Sequence, residues 1–415
     1  MAIGKPKRRR KRLLGRKGLL VRSGPLLGVL SILLVAAVGY VLLAAAWQAA
    51  ASSYRFADLL VPRAIDVLVA AWLFWVGSAI GSFLNVVAWR VPRGKSINGW
   101  SHCPWCNARL SARDNWPVFG WIALRGRCRT CRLPISPRYP IVELCVGLTI
   151  TVLGLAEFYS GGGNLPFVSE GGPHHPRQAD GPLATPHLSL GLVVISLYHV
   201  VAISSAWALG LVRFDAHRLP RGLVIWVFLL AMGPLWIWPP LMVVPWQATV
   251  PEGWQPTSHY DAVLRLLTAI VAAALLARAL ARYLCPTADP KLDPTGSGTA
   301  RLLDLTALLC VPAVVVGWQA LLGVVLLSVI GAAILQRLAR RFSEPGTVGS
   351  EREGLAWLAV CLPVGLAVQI AFWERLEAWL FWPSASSPPW VILVAAALLL
   401  VVPRCLTSRR ALDSL

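Results

Sequence analysis

Four cysteines stand in a pattern that can do chemistry. Cys103-Pro-Trp-Cys106 and Cys128-Arg-Thr-Cys131 form two C-x2-C pairs with 21 residues between them. Two such knuckles put four thiolates at the corners of a tetrahedron, the arrangement structural zinc prefers, and four thiolates leave no open position for a metal-bound water. Structural zinc on Cys103, Cys106, Cys128 and Cys131 is therefore the favoured reading, with disulfides as the alternative in an oxidising compartment. The stretch between the knuckles, NARLSARDNWPVFGWIALRGR, is polar and turn-rich at its ends, as befits a ribbon that cannot fold on apolar burial alone. Cys145, Cys285, Cys310, Cys361 and Cys405 lack this spacing and read as small apolar residues in or near helices.

The elements that must hold this ribbon are membrane helices. The chain has 415 residues, 56% hydrophobic and only 14% charged, with a mean hydropathy of +0.63. A soluble chain carries about 25% charged residues, so a large soluble enzyme is excluded. Apolar runs long enough to cross a bilayer lie at 25–47, 64–89, 139–158, 187–212, 221–244, 261–283, 302–317, 318–336, 354–372 and 389–403. In the 302–336 stretch, Pro312 and Gly317 suggest a break between two helices rather than one long one. The expected fold is an all-α polytopic membrane protein of about ten transmembrane helices with a small cytoplasmic four-Cys zinc-ribbon insert.

Charge sets the orientation. Lys and Arg outnumber Asp and Glu by 39 to 19, a net charge of +20. Residues 1–24 carry ten cationic side chains and 90–138 another ten, whereas 159–186 carries only Arg177 and 245–260 none. By the excess of positive charge on inner loops, both termini, the ribbon and the 213–221 and 284–301 loops are expected on the cytoplasmic side. The N-terminal KPKRRRKR run reads as a topology signal that also touches anionic lipid, with no nucleic-acid partner implied. His174 and His175 fall in an outer loop, on the opposite side of the membrane, and read as a solvated pair. A transporter would need polar residues along a path through the bilayer, and the nearly uniform Leu, Val, Ala and Trp of these helices argue against one.

The segment Gly81-Ser82-Phe83-Leu84-Asn85-Val86-Val87-Ala88-Trp89-Arg90-Val91-Pro92 leads into the ribbon. The ribbon contains Arg113-Asp114-Asn115-Trp116-Pro117-Val118-Phe119-Gly120-Trp121 and Leu124-Arg125-Gly126, and ends in Ile135-Ser136-Pro137-Arg138-Tyr139-Pro140-Ile141-Val142-Glu143. Over about 81–145 this closely resembles the N-terminal half of the type IV prepilin peptidases, membrane aspartic proteases that remove the basic leader of prepilin-like proteins. Many members also methylate the new N-terminus with S-adenosylmethionine. The resemblance implies a prepilin or pseudopilin substrate, a pilus or type II secretion setting, a place in the bacterial cytoplasmic membrane, and two catalytic aspartates at the cytoplasmic face. The chemistry needs two carboxyls that share one proton. The family's first motif is D-x-x-x-x-x-L-P. Here Leu219-Pro220 is present, Arg213 occupies the first Asp position, and Asp215 matches a secondary acidic one. For the second Asp, Asp304-Leu305-Thr306 is favoured over Thr299 of Gly296-Ser297-Gly298-Thr299, because its spacing to Gly317-Trp318-Gln319 fits. Asp289 and Asp293, among prolines, are weaker candidates. The plainer alternatives are a helix-capping role for Asp304 and, for Asp215, a solvent pair with Arg213, His217 or Arg218.

The expected layout is a basic tail at 1–24, an extra helix and outer loop at 25–63, a motif-bearing helix at 64–90 and the zinc-binding insert at 91–138. A peptidase-like core follows at 139–345 and a membrane extension at 346–415. The expected function is leader cleavage by Asp215 and Asp304. The alternative is a proteolytically inactive scaffold or methyltransferase, since both aspartate motifs depart from the family pattern.

Overall fold

The computed structural model describes residues 16–166, 186–247, 254, 256–284, 297–342, 353–384 and 387–406. His174, His175, Asp289 and Asp293 lie outside the described residues. Helices dominate: α1 (Arg16–Ala51), α2 (Phe56–Arg90), a short α3 (Phe119–Ala123) inside the ribbon, α4 (Arg138–Ser160), α5 (Leu190–Phe214), α6 (Arg221–Ile237), α7 (His259–Leu284), α8 (Ser297–Phe342), α9 (Gly354–Ala371), a short α10 (Trp373–Glu377) and α11 (Pro389–Val401). The local signals are ordinary ones. Ser189 caps α5 by accepting from the Leu192 amide, Pro239 and Pro240 follow directly on the end of α6, and Gly161 closes α4 in the left-handed region.

Eight spans among the described residues are long and apolar enough to cross a membrane. The expected number was about ten, and both missing spans have a physical reason. The run expected at 221–244 stops as α6 at Ile237, too short for the count. The runs expected at 302–317 and 318–336 merge into α8, yet Gly317 inside it has φ 92° and ψ 159°, far from helical.

Gly317 is the tip of a helical hairpin. Asp304 lies 4.0 Å from Arg213, and Arg213 lies 2.9 Å from Glu353. At the other end of α8, Gln336 donates to the Leu406 carbonyl, against which Gly354 packs. Asp304 and Gln336 therefore sit at the same end of the bundle, whereas an unbroken helix would hold them roughly 48 Å apart at 1.5 Å per residue. The break frees carbonyls, and the buried Arg265 of α7 fills two of them, with Nη1 donating to Ala313 (3.1 Å) and Nη2 to Val314 (3.2 Å), while its Nε donates to Val244 in the segment after α6 (3.2 Å). Counting α6 and the two limbs of α8 separately gives ten apolar helical limbs among the described residues.

The ribbon hangs from α2 and α4, which lie almost backbone to backbone. A Cβ on Gly77 would come 3.0 Å from the Cα of Gly147, and one on Gly81 2.9 Å from the Cα of Glu143. Small residues let membrane helices approach this closely and so gain van der Waals contact that lipid cannot supply. The extra helix α1 is tied on by Tyr40, which donates to Asp66 of α2; Asp66 also accepts from Tyr159 of α4 and pairs with Arg63 at 2.9 Å. α2 accordingly begins at Phe56, eight residues before its expected start at residue 64.

Candidate functional site

The four spaced cysteines meet. One sulfur from each of Cys103, Cys106, Cys128 and Cys131 lies within 4.8 Å of the others, with Cys103–Cys131 at 3.8 Å and Cys106–Cys128 at 3.9 Å. A tetrahedral zinc with bonds of about 2.3 Å sets its sulfurs about 3.8 Å apart, so the donor set fits zinc in both chemistry and spacing. The first knuckle is a tight hairpin in which the Cys103 amide donates to Ala108 and the Leu110 amide to Ser101. The second repeats it, with Cys128 donating to Leu133 and Ile135 to Gly126. Asn107 and Arg132, at φ 57° and 66°, make the left-handed turns after each pair. Amides at Cys131 and Thr130 face the Cys128 sulfur and draw its thiol down to about 6, toward the thiolate that a metal takes.

Two clasps seat the ribbon on the membrane helices, and a third ties the ribbon to itself. Arg90, at the end of α2, donates to the carbonyls of Ile97 (3.1 Å), Asn98 (3.0 Å) and Trp100 (3.1 Å), folding that segment back over the helix end. Buried Glu143 of α4 accepts from the Val118 amide at 2.7 Å. Asp114 takes the forked guanidinium of Arg129, with Nε at 3.1 and 3.0 Å from its two oxygens; this pairing holds its carboxyl below the usual carboxylate range.

The two candidate aspartates lie at the ribbon end of the bundle. α5 ends in a tight turn: the Asp215 amide donates to Leu211, Ala216 to Arg213 and His217 to Val212, with Ala216 at φ 59°. This turn aims the Leu219 amide at Asp304 Oδ1 (3.4 Å), while Arg213 Nε stands 4.0 Å from Asp304 Oδ2. The stretch carrying Asp215 thus grips Asp304 from both sides. Asp215 itself pairs with Arg138 at 2.7 Å, at the junction of ribbon and α4. Arg213 also pairs with Glu353 (2.9 Å), which in turn binds Arg301 (2.8 Å).

Arg213 holds a motif position in the sequence, but Arg138, Arg301 and Glu353 carry no motif that marks them as partners at this site. No local spacing announces these partners: Arg138 and Asp215 are 77 residues apart, Arg213 and Glu353 are 140. Only the folded bundle brings them together.

Residues 75–156 match the family model described as the bacterial peptidase A24 N-terminal domain. A prepilin leader peptidase/N-methyltransferase of Myxococcus xanthus is 49% identical over 89 residues, 21% of this chain and 27% of that protein. A type 4 prepilin-like proteins leader peptide-processing enzyme of Escherichia coli O78:H11 is 38% identical over 119 residues, 24% of this chain and 43% of that protein. A prepilin leader peptidase/N-methyltransferase of Klebsiella pneumoniae is 43% identical over 94 residues, 21% of this chain and 41% of that protein. The chain thus spans less than half the length of these curated relatives. No solved structure matches it. The matched segment is the ribbon with the α2 and α4 limbs that grip it, and over that segment the chain is similar to the N-terminal domain of bacterial A24 peptidases and to these prepilin leader peptidases.

Proposed function

We propose that the chain is a prepilin leader peptidase of the cytoplasmic membrane. It receives the basic leader and apolar helix of a prepilin or pseudopilin and cuts between them at the inner face. The observation that carries this reading is the grip of the 213–219 turn on Asp304, which sets Asp215 and Asp304 at one end of the bundle on neighbouring elements. One carboxylate would draw a proton from water while its protonated partner polarises the scissile carbonyl. For that chemistry Arg213 must withdraw from Asp304, and Glu353, 2.9 Å away, gives it a place to go. Zinc on Cys103, Cys106, Cys128 and Cys131 would brace the ribbon, and Arg138 would relay the ribbon's position to Asp215. Methyl transfer from S-adenosylmethionine is proposed on the relatives' names alone.

A second reading has its own observation. Arg213 stands where the family pattern has its first aspartate, and it faces Asp304 as an ion pair, so the chain would bind prepilin-like segments without cutting them.

Co-expression with a prepilin separates the two. On the peptidase reading, wild type removes the leader and both Asp215→Ala and Asp304→Ala lower cleavage by at least roughly a hundredfold. Cleavage that survives both substitutions sinks the site assignment. An abundant, folded wild type that does not cut, while Arg213→Asp does, establishes the second reading.

A further inference from the structure

Beyond Arg90, Arg129 and Arg138, the ribbon's positive charge has no use in either reading, because a basic leader is repelled by it. Residues 90–138 carry ten cationic side chains and one carboxylate, Asp114, already taken by Arg129. Zinc on four thiolates would subtract two charges and leave the ribbon strongly positive. This charge is interleaved with exposed aromatic surface: Trp100 and Trp105 are each 68% exposed, and Ile97 is 41%. The height of Ile97 and Trp100 along the bundle is fixed. Arg90 closes α2 at the edge of an apolar span, and its guanidinium binds the carbonyls of Ile97, Asn98 and Trp100, holding these side chains one Arg length from the helix end. Trp89, on the last turn of α2, is faced by Lys95 at 4.8 Å and Arg93 at 5.2 Å. Arg109 stacks on Trp100 at 3.1 Å. Beside that stack lies a cavity of about 570 Å³ lined by Trp100, Ser101, Arg109, Leu110, Ser111 and Asn115.

We propose that this hairpin, residues 95–112, is a seat for anionic phospholipid on the membrane face from which the ribbon emerges. Trp100 and Ile97 enter the boundary between headgroups and acyl chains, where an amphipathic ring is at home. Arg109, with Lys95 and Arg93, meets the lipid phosphate, and the cavity beside Trp100 takes the headgroup. The ribbon is thereby laid against the bilayer by its own charge. The seat is independent of whether the chain cuts its substrate.

The test uses the full chain in nanodiscs of phosphatidylcholine, with and without about a third phosphatidylglycerol, and follows amide exchange over 95–112. Anionic discs should slow exchange of 96–101 and 108–111 by roughly fivefold or more, and raised salt should erase the difference. Trp100→Ser with Arg109→Ser should abolish it while zinc content stays as in the wild type. The milder Arg109→Gln, which keeps a long side chain without its charge, should reduce it. Equal exchange in the two lipids overturns the proposal. So does a difference that survives both variants, or protection by single-stranded RNA in place of phosphatidylglycerol.

Discussion

Glu143 accepts from the Val118 amide and in doing so fixes a β-branched residue at φ 60° and ψ −56°, a conformation that such residues rarely adopt. Neighbouring structure must hold this strain, and the Glu143 bond is the visible restraint. Glu143→Ala should cost about 1–3 kcal/mol through the lost bond and the unpartnered amide. Proteolysis at Arg113, Arg125 and Arg127 should speed up, and zinc content should stay unchanged because no ligand is touched. A second effect belongs to Asp114. Its pairing with Arg129 lowers the carboxyl, so the bridge contributes stability that is present above the ordinary aspartate range and lost as pH falls through the depressed value. The Asp114 contribution to ribbon order, followed by the exposed Trp105 through fluorescence in a background of conservative Trp replacements, should therefore be lost as pH falls below the ordinary aspartate range. In Asp114→Asn that decline should be shallower, and ribbon order should be weaker near neutral pH.

At the scale of elements, the α8 hairpin carries the clearest prediction. Gly317 occupies a backbone region open almost only to glycine, and an added Cβ would fall 2.8 Å from Gln319 Oε1 and 3.2 Å from Arg265 Nη2. Gly317→Ala should destabilise the detergent-solubilised protein by about 2–3 kcal/mol, read as a lower thermal midpoint. Arg265→Met should act in the same direction, because it strips three carbonyls of their donor inside an apolar bundle. This break was legible in the sequence, because Pro312 and Gly317 interrupt one apolar run. The apolar runs themselves were legible for the same reason, since length and uniform hydrophobicity are local properties. The cysteine cluster was legible through spacing of two residues within each pair. The Arg138–Asp215 and Arg213–Glu353 contacts were not, because they join residues far apart in sequence that meet only in the packed bundle. The early stop of α6 at Ile237 was missed because Trp238 to Val244 stays apolar while Pro239 and Pro240 end the helix.

At the scale of the whole molecule, one end of the bundle collects the chemistry. The ribbon, Asp215, Asp304, Glu353 and Leu406 are joined by short contacts, while Gly317 and the α4 cap at Gly161 lie at the far end. The excess of basic residues in the sequence lies in 1–24 and 90–138, of which 90–138 forms the ribbon end, and inner loops of membrane proteins hold that excess. The ribbon end should therefore face the cytoplasm, where thiols stay reduced and available to zinc. Two measurements bear on it together. Cytoplasm-active reporters fused after residue 406 should be active, and the same reporters placed in the 159–186 loop should be silent. In sealed inverted vesicles, Cys106, the exposed zinc ligand, should be alkylated only after a chelator strips the metal, while right-side-out vesicles should protect it throughout. Labelling in right-side-out vesicles would reverse the orientation. It would place the four thiols in an oxidising compartment and remove the ground for choosing zinc over disulfides.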